Sequence, residues 1–368
     1  MSLEANVSRN QILAAIQQWH RSVAVVAICF SLALVAVTVQ AQTSPSIPAP
    51  TGATGVGHPD SVPVPNTSPA AQSGSATTAP PPDDQAPAND SVFVFKKEVQ
   101  EVMLHATVVD EQRRLVTNLD KSAFTVFEDG VAQKTTSFHR DDVPVAMGIV
   151  IDNSGSMREK RDKVNQAVLN LIKASNSNDE IFVVNFSQDS YLDQDFTSDI
   201  NLLQQALHKV SAQGRTALYD AIVASAVHLK NNTRVDRKVL LVVTDGRDNA
   251  SQETLQQAAR RLQQENGPTL YAIGLLSDEL QQSGVDALQS LADSTGGVAF
   301  FPKGPDEVDD ITRTVARDIR SQYTIGYKPT RPRESGGYRA IEVRAQAPGY
   351  RKLTVRTRSG YYSGETVR

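Results

Sequence analysis

Between Val145 and Arg320, continuous apolar runs alternate with stretches whose apolar residues recur every three or four positions, a rhythm that few folds accommodate. Val145 to Ile151 is apolar or glycine at every position, as in a strand covered on both faces. Val164, Ala167, Val168, Leu171 and Ile172 then follow at helical spacing. Further strands are predicted at Glu180 to Phe186, Lys238 to Thr244, Thr269 to Leu276 and Val298 to Phe301. Helices are predicted over Leu202 to Val210, Ala217 to Leu229, Glu253 to Glu265, Leu280 to Ala292 and Glu307 to Arg320. The fold class is therefore α/β, a central and mostly parallel sheet flanked by helices, whose ligands collect at the carboxyl ends of the strands.

On both sides of this region the period changes to two. Val102 to Val109 reads as a strand, and Phe124 to Phe138 as a hairpin turning at Glu128-Asp129-Gly130. After Arg320, Tyr323 to Tyr327 is a strand. Ile341, Val343 and Ala345 alternate with Glu342, Arg344 and Gln346, and Leu353 and Val355 alternate with Thr354 and Arg356. Neither flank has enough apolar surface to fold alone. The expected organisation is N-terminal strands over 91–142, the α/β domain over 143–320, and C-terminal strands over 321–368 that pair with 91–142 in one small β-sandwich. The many arginines of the last forty residues read as a solvated face of those strands.

Residues 1–41 contain the one strongly apolar segment, Val23 to Val39, preceded by Arg21 and closed by the small-x-small Val39-Gln40-Ala41. This predicts a signal peptide. The alternative is an uncleaved N-terminal membrane anchor, because the run approaches the roughly 20 residues that span a bilayer. Either reading places the protein outside the cytoplasm, in the periplasm, in the cell envelope or secreted. Residues 42–90 are rich in Pro, Ser and Ala and read as a disordered linker. Within it, Gly52 to Gly57 resembles a phosphate loop only faintly, with no strand before it and no helix after it. The single cysteine, Cys29, lies in the apolar segment, so the rest of the chain has neither disulfides nor thiolate ligands. With 37 basic and 41 acidic residues, a net charge of −4 argues against nucleic acid as a partner.

The first buried strand ends in Asp152-Asn153-Ser154-Gly155-Ser156, where alternate side chains of an extended segment face one way. Alone, Asp-x-Ser-x-Ser is an ordinary helix cap. It is joined by Thr216, in a loop that opens a helix, and by Asp245, at the end of the strand 238–244. Both belong at the same sheet edge. Two carboxylates and three hydroxyls, with no imidazole or thiolate, select Mg2+, Mn2+ or Ca2+. Two carboxylates only neutralise such an ion, leaving it electrophilic toward an anionic oxygen from a partner. Asp220 and Asp248 read as surface or capping residues. Asp189, Asp193 and Asp195 read as an acidic loop that lacks the glycine turn and terminal Glu of an EF-hand. The six histidines are scattered, and neither a His-Glu-x-x-His helix nor a Gly-x-Ser-x-Gly elbow is present, so an enzyme is not expected.

Asp152-x-Ser154-x-Ser156, Thr216 and Asp245 resemble the complete metal-ion-dependent adhesion site of a von Willebrand factor type A domain, a likeness that spans 144–320. It implies direct coordination by Ser154 and Ser156. Thr216 would bind directly or through water and Asp152 and Asp245 largely through water, with Mg2+ as the usual metal and a partner's Asp or Glu in the open position. Arg215 departs from the family, standing where a glycine is common. The expected function is metal-dependent protein binding of the adhesion type. An envelope scaffold with a merely structural metal is the alternative, and a metal-dependent hydrolase a lesser one. The layout from the Phe-x-Val-x-Glu-Asp-Gly hairpin to Gly360-Tyr361-Tyr362 further resembles the type A-related proteins of Acidobacteria.

Overall fold

The computed structural model describes residues 101–209, 212–275, 277 and 281–364, all within one compact unit, Asp90–Arg368. The expected signal or anchor segment, the linker, and the ends of the helices predicted to reach Val210 and to begin at Leu280 lie outside the described residues.

In chain order the strands before the α/β region are β1 (Val102–Val109), β2 (Phe124–Glu128), β3 (Val131–Gln133) and β4 (Thr135–His139). The α/β region runs β5 (Val145–Asp152), α1 (Arg161–Lys173), β6 (Glu180–Phe186), β7 (Ser190–Thr197), α2 (Ile200–His208), α3 (Leu218–Asn232) and β8 (Arg237–Thr244). It continues with α4 (Leu255–Leu262), β9 (Thr269–Gly274), α5 (Gln281–Thr295), β10 (Ala299–Phe300) and α6 (Val308–Arg320). Four strands close the chain: β11 (Tyr323–Tyr327), β12 (Gly337–Ala345), β13 (Thr354–Arg356) and β14 (Gly360–Ser363).

The central sheet has the order β10-β9-β8-β5-β6-β7, parallel except at the β7 edge. All eight residues of β5 are buried, as its unbroken apolar run predicts. Met147, Ile149 and Ile151 pack with α1, α2 and α6 on one face. Ala146 and Val150 pack with α3, α4 and α5 on the other. Each fully buried Val or Ile contributes roughly 1.5–3 kcal/mol, so this strand anchors both layers. Gly148 admits the closest approach, since a Cβ there would stand 2.3 Å from Phe182 Cζ.

The chain leaves β5 for α1 on one face and β8 for α4 on the other. The two strands are neighbours, so a crevice opens outside their carboxyl ends, where ligands of such sheets bind.

The flanking strands form two four-stranded sheets, β13-β1-β11-β4 and β14-β12-β2-β3, each mixing N-terminal and C-terminal segments. β1 pairs antiparallel with β11, and β2 with β12. The sandwich expected from the flanks is thus formed around one apolar core containing Leu104, Val126, Tyr323 and Ile341. The β2–β3 turn has positive φ at both Asp129 (50°) and Gly130 (78°), the backbone that Asp-Gly supplies in a tight hairpin.

Two details differ from the sequence reading. The run from Val131 to Phe138 is not one hairpin arm: β3 pairs with β2, and β4 crosses to pair with β11 in the other sheet. The arginines near the C-terminus are not one solvated face either. Arg344 is exposed, but Arg339 and Arg358 are buried. Arg339 continues the inward phase of Ile341, Val343 and Ala345 and pairs with Glu128, which also accepts from the Tyr327 and Tyr361 hydroxyls at 2.6 and 2.9 Å. From β8, buried Arg237 donates to Ile319 and Gln322 carbonyls and to Thr324 Oγ1, tying the central sheet to the sandwich.

Candidate metal centre

β5 ends at Asp152, whose side chain is fully buried at the β5–β8 crevice. One of its oxygens accepts from the Ser154 backbone N–H at 2.7 Å and the other from Thr244 Oγ1 at 2.5 Å. The loop then turns through a short 3-10 segment, Gly155–Met157, which keeps Ser154 and Ser156 adjacent, with their Oγ atoms 3.1 Å apart. Ser156 Oγ donates to Asp245 Oδ1 at 2.7 Å. Asp245, also fully buried, follows β8.

Thr216 is brought in by its backbone. Its N–H donates to Asn249 Oδ1 and its carbonyl accepts from the Asn249 N–H, both at 2.9 Å, which ties the loop before α3 to the loop after β8. Gly246 lies under the threonine, where a Cβ would stand 3.2 Å from Thr216 Oγ1. The Gly155 N–H also donates to the Gly214 carbonyl at 3.3 Å, closing the third side. All five residues singled out from the sequence therefore stand on three loops at one edge of the sheet.

Burial pushes the Asp152 carboxyl up to about 6, against the lowering effect of hydrogen bonds from Thr244 and Ser154, and the charge of Asp245 adds to the rise. Asp245 Oδ2 is engaged by the Lys160 ammonium, while among the described residues no cation forms an ion pair with Asp152. Two buried carboxylates beside three hydroxyls are an oxygen-only donor set that a hard divalent cation fits, and such an ion would supply the charge that Asp152 lacks.

The structure sorts the other acidic residues. Asp248 accepts from the Tyr219 N–H at 3.3 Å and so caps the start of α3, while Asp220 accepts from the Gln252 and Glu253 N–H groups and holds the loop before α4. The expected acidic loop is instead the edge strand β7. Asp189 lies just before it, Asp193 accepts from Asn185 and pairs with Lys209, and Asp195 meets His228, so the two carboxylates on the strand each have a partner. The sequence does not reveal this strand because its alternation is broken and none of its residues is fully buried.

Residues 147–247 match the family model for the von Willebrand factor type A domain. The chain carries a von Willebrand factor type A domain. The matched span contains all five candidate ligands and stops short of the flanking strands, so the narrower likeness to acidobacterial proteins finds no support in it. No curated protein matches the chain. Among solved structures, the chain is similar to the PilB minor pilin of Streptococcus sanguinis, with 14% identity over 49% of this chain and 62% of that one, at a TM-score of 0.42. It is also similar to the conserved hypothetical protein BatB of Bacteroides thetaiotaomicron, with 17% identity over 48% and 97% at 0.40. A third likeness is to proximal thread matrix protein 1 of the mussel byssus, with 17% identity over 53% and 50% at 0.44. The chain thus spans less than two thirds of the pilin and half of the byssus protein.

Sequence reasoning about the A domain missed several supporting residues. Thr244 holds Asp152, Asn249 holds Thr216, and Lys160 holds Asp245. Arg161, buried beneath the loop, donates to the Asn153 side chain and to the Leu207 carbonyl at 2.9 Å. Lys160 and Arg161 sit on the first turn after the motif, and a pair of cations this close to two buried carboxylates was the available signal.

Proposed function

We propose that the A domain holds a divalent cation on Asp152, Ser154, Ser156, Thr216 and Asp245 and presents its open position to an Asp or Glu of a partner protein. Mg2+ is the metal proposed, with Mn2+ or Ca2+ as substitutes. The observation that carries this reading is the continuous line of oxygens from Ser154 Oγ through Ser156 Oγ to Asp245 Oδ1, at 3.1 and 2.7 Å, flanked by buried Asp152. Such a site neutralises the ion without saturating it, so a further anionic oxygen is attracted.

The protein is a binding module of the adhesion type, exported to the periplasm, the envelope or the exterior. Its role is capture rather than catalysis. No helix among the described residues is long and apolar enough to cross a membrane, and the apolar segment Val23 to Val39 lies outside them.

Thermal unfolding of the full chain with Mg2+, Mn2+, Ca2+ or EDTA tests the site. At a hundredfold excess over Kd, a ligand specific to the folded state adds roughly 2.7 kcal/mol, or about 5–10 °C in Tm. The shift should vanish in an Asp152→Ala, Ser154→Ala double variant, and an equal shift in that variant would remove the site. Capture is tested with a Glu-bearing peptide, which should bind only with metal present, against its Gln counterpart.

A further inference from the structure

A cavity of about 350 Å3 lies where the β-sandwich meets the end of α4, walled on one side by the loop between β11 and β12. Val102, Pro329 and Pro332 give it apolar surface, and the buried arginines Arg339 and Arg358 line it. We infer that this cavity binds a small organic monocarboxylate, its carboxylate on Arg358 and its apolar body against Val102 and the two prolines.

Arg358 is 8% exposed. Its guanidinium donates to the Gln264 and Gly267 carbonyls at 3.3 and 3.0 Å, groups just past α4 that carry only partial negative charge. Arg331, Arg333 and Arg339 on the same cavity each pair with a carboxylate, from Asp129, Glu265 and Glu128. Among the described residues no carboxylate pairs with Arg358. A buried cation without a counter-charge is strongly disfavoured, and a ligand anion relieves that. The positive surroundings extend to His105, which burial, Arg237 and Arg358 together hold neutral down to about 3.

The lining also selects the ligand class. One uncompensated cation suits a single negative charge, and Glu101, Glu265 and Glu334 on the same walls repel a phosphate dianion. The volume, at the lower end for small-molecule sites, admits a short chain or one ring.

The test is thermal unfolding of the full chain in EDTA, so that carboxylates cannot act through a metal, with butyrate, benzoate, inorganic phosphate or chloride at matched ionic strength. Butyrate or benzoate near saturation should raise Tm by about 2–4 °C, and phosphate and chloride should not. Arg358→Met should abolish the shift. So should Val102→Phe, which fills the cavity and leaves both arginines in place, and which decides the matter if the first variant does not fold. The inference is overturned if neither carboxylate acts, if phosphate or chloride acts equally, or if the shift survives Val102→Phe.

Discussion

Ser156 Oγ donates to Asp245 Oδ1 at 2.7 Å, joining the loops after β5 and β8 across 89 positions of sequence. Asp245 therefore organises the site before any ion binds, and Asp245→Ala should do more than remove one ligand. It leaves Ser156 without its acceptor and Lys160 without its partner. The variant should lose all metal-induced rise in Tm, and without metal should be destabilised by about 1–3 kcal/mol, read by urea unfolding in EDTA.

Asp152 supplies a pH dependence. Its folded-state carboxyl is raised to about 6 by burial, above the 3.8 of an unperturbed Asp, so the folded protein holds that proton more tightly than the unfolded chain. The metal-free protein should therefore lose stability as pH rises from about 4 through about 6, by up to about 3 kcal/mol from this group. A divalent cation favours the ionised form, so the Mg2+-induced rise in Tm should be full at about pH 7.5 and shrink below about pH 6. Tm measured across that range, in EDTA and in Mg2+, checks both slopes, and Asp152→Asn should flatten the EDTA curve.

Lys160 competes for the same carboxylate. With its ammonium on Asp245 Oδ2, part of the site's negative charge is already met. Lys160→Met should tighten divalent-cation binding by about three- to tenfold, measured by calorimetry, with the gain shrinking as salt is added. Weaker binding in the variant would mean that Lys160 orients Asp245 rather than competing for it.

In the sandwich, Glu128 and Arg339 are both fully enclosed and 3.1 Å apart. Removing one partner strands the other charge, so Glu128→Gln or Arg339→Met should cost about 3–5 kcal/mol in denaturant unfolding. Replacing Glu128 and Arg339 together by apolar residues should cost less than either single change.

Gly148 tests the packing of the central strand. A methyl group there meets Phe182 Cζ at 2.3 Å and Leu240 Cδ2 at 2.6 Å, both in the fully buried layer. Gly148→Ala should destabilise by about 1–3 kcal/mol through overpacking, with metal affinity retained in the folded fraction.

The α/β layer was legible because its physics is local. A seven-residue unbroken apolar run rich in β-branched residues, such as Val145–Ile151, suits a strand covered twice, and the spacing of Val164, Val168 and Leu171 puts them on one helical face. The Asp129-Gly130 turn was legible for the same reason, since it depends on the conformational range of two residues. The five oxygen-bearing residues were legible as a set because each stands at a strand end or a helix start, places that a parallel sheet gathers at one edge. The partners of those residues were decided elsewhere. That Lys160 reaches Asp245, that Thr244 holds Asp152, and that Asn249 closes on Thr216 depend on how two neighbouring strands send their helices to opposite faces. The same is true of β4 changing sheets and of Arg339 and Arg358 turning inward. A pattern of period two says which residues share a face, but which face is buried, and which carboxylate waits there, is settled only when distant strands pack together.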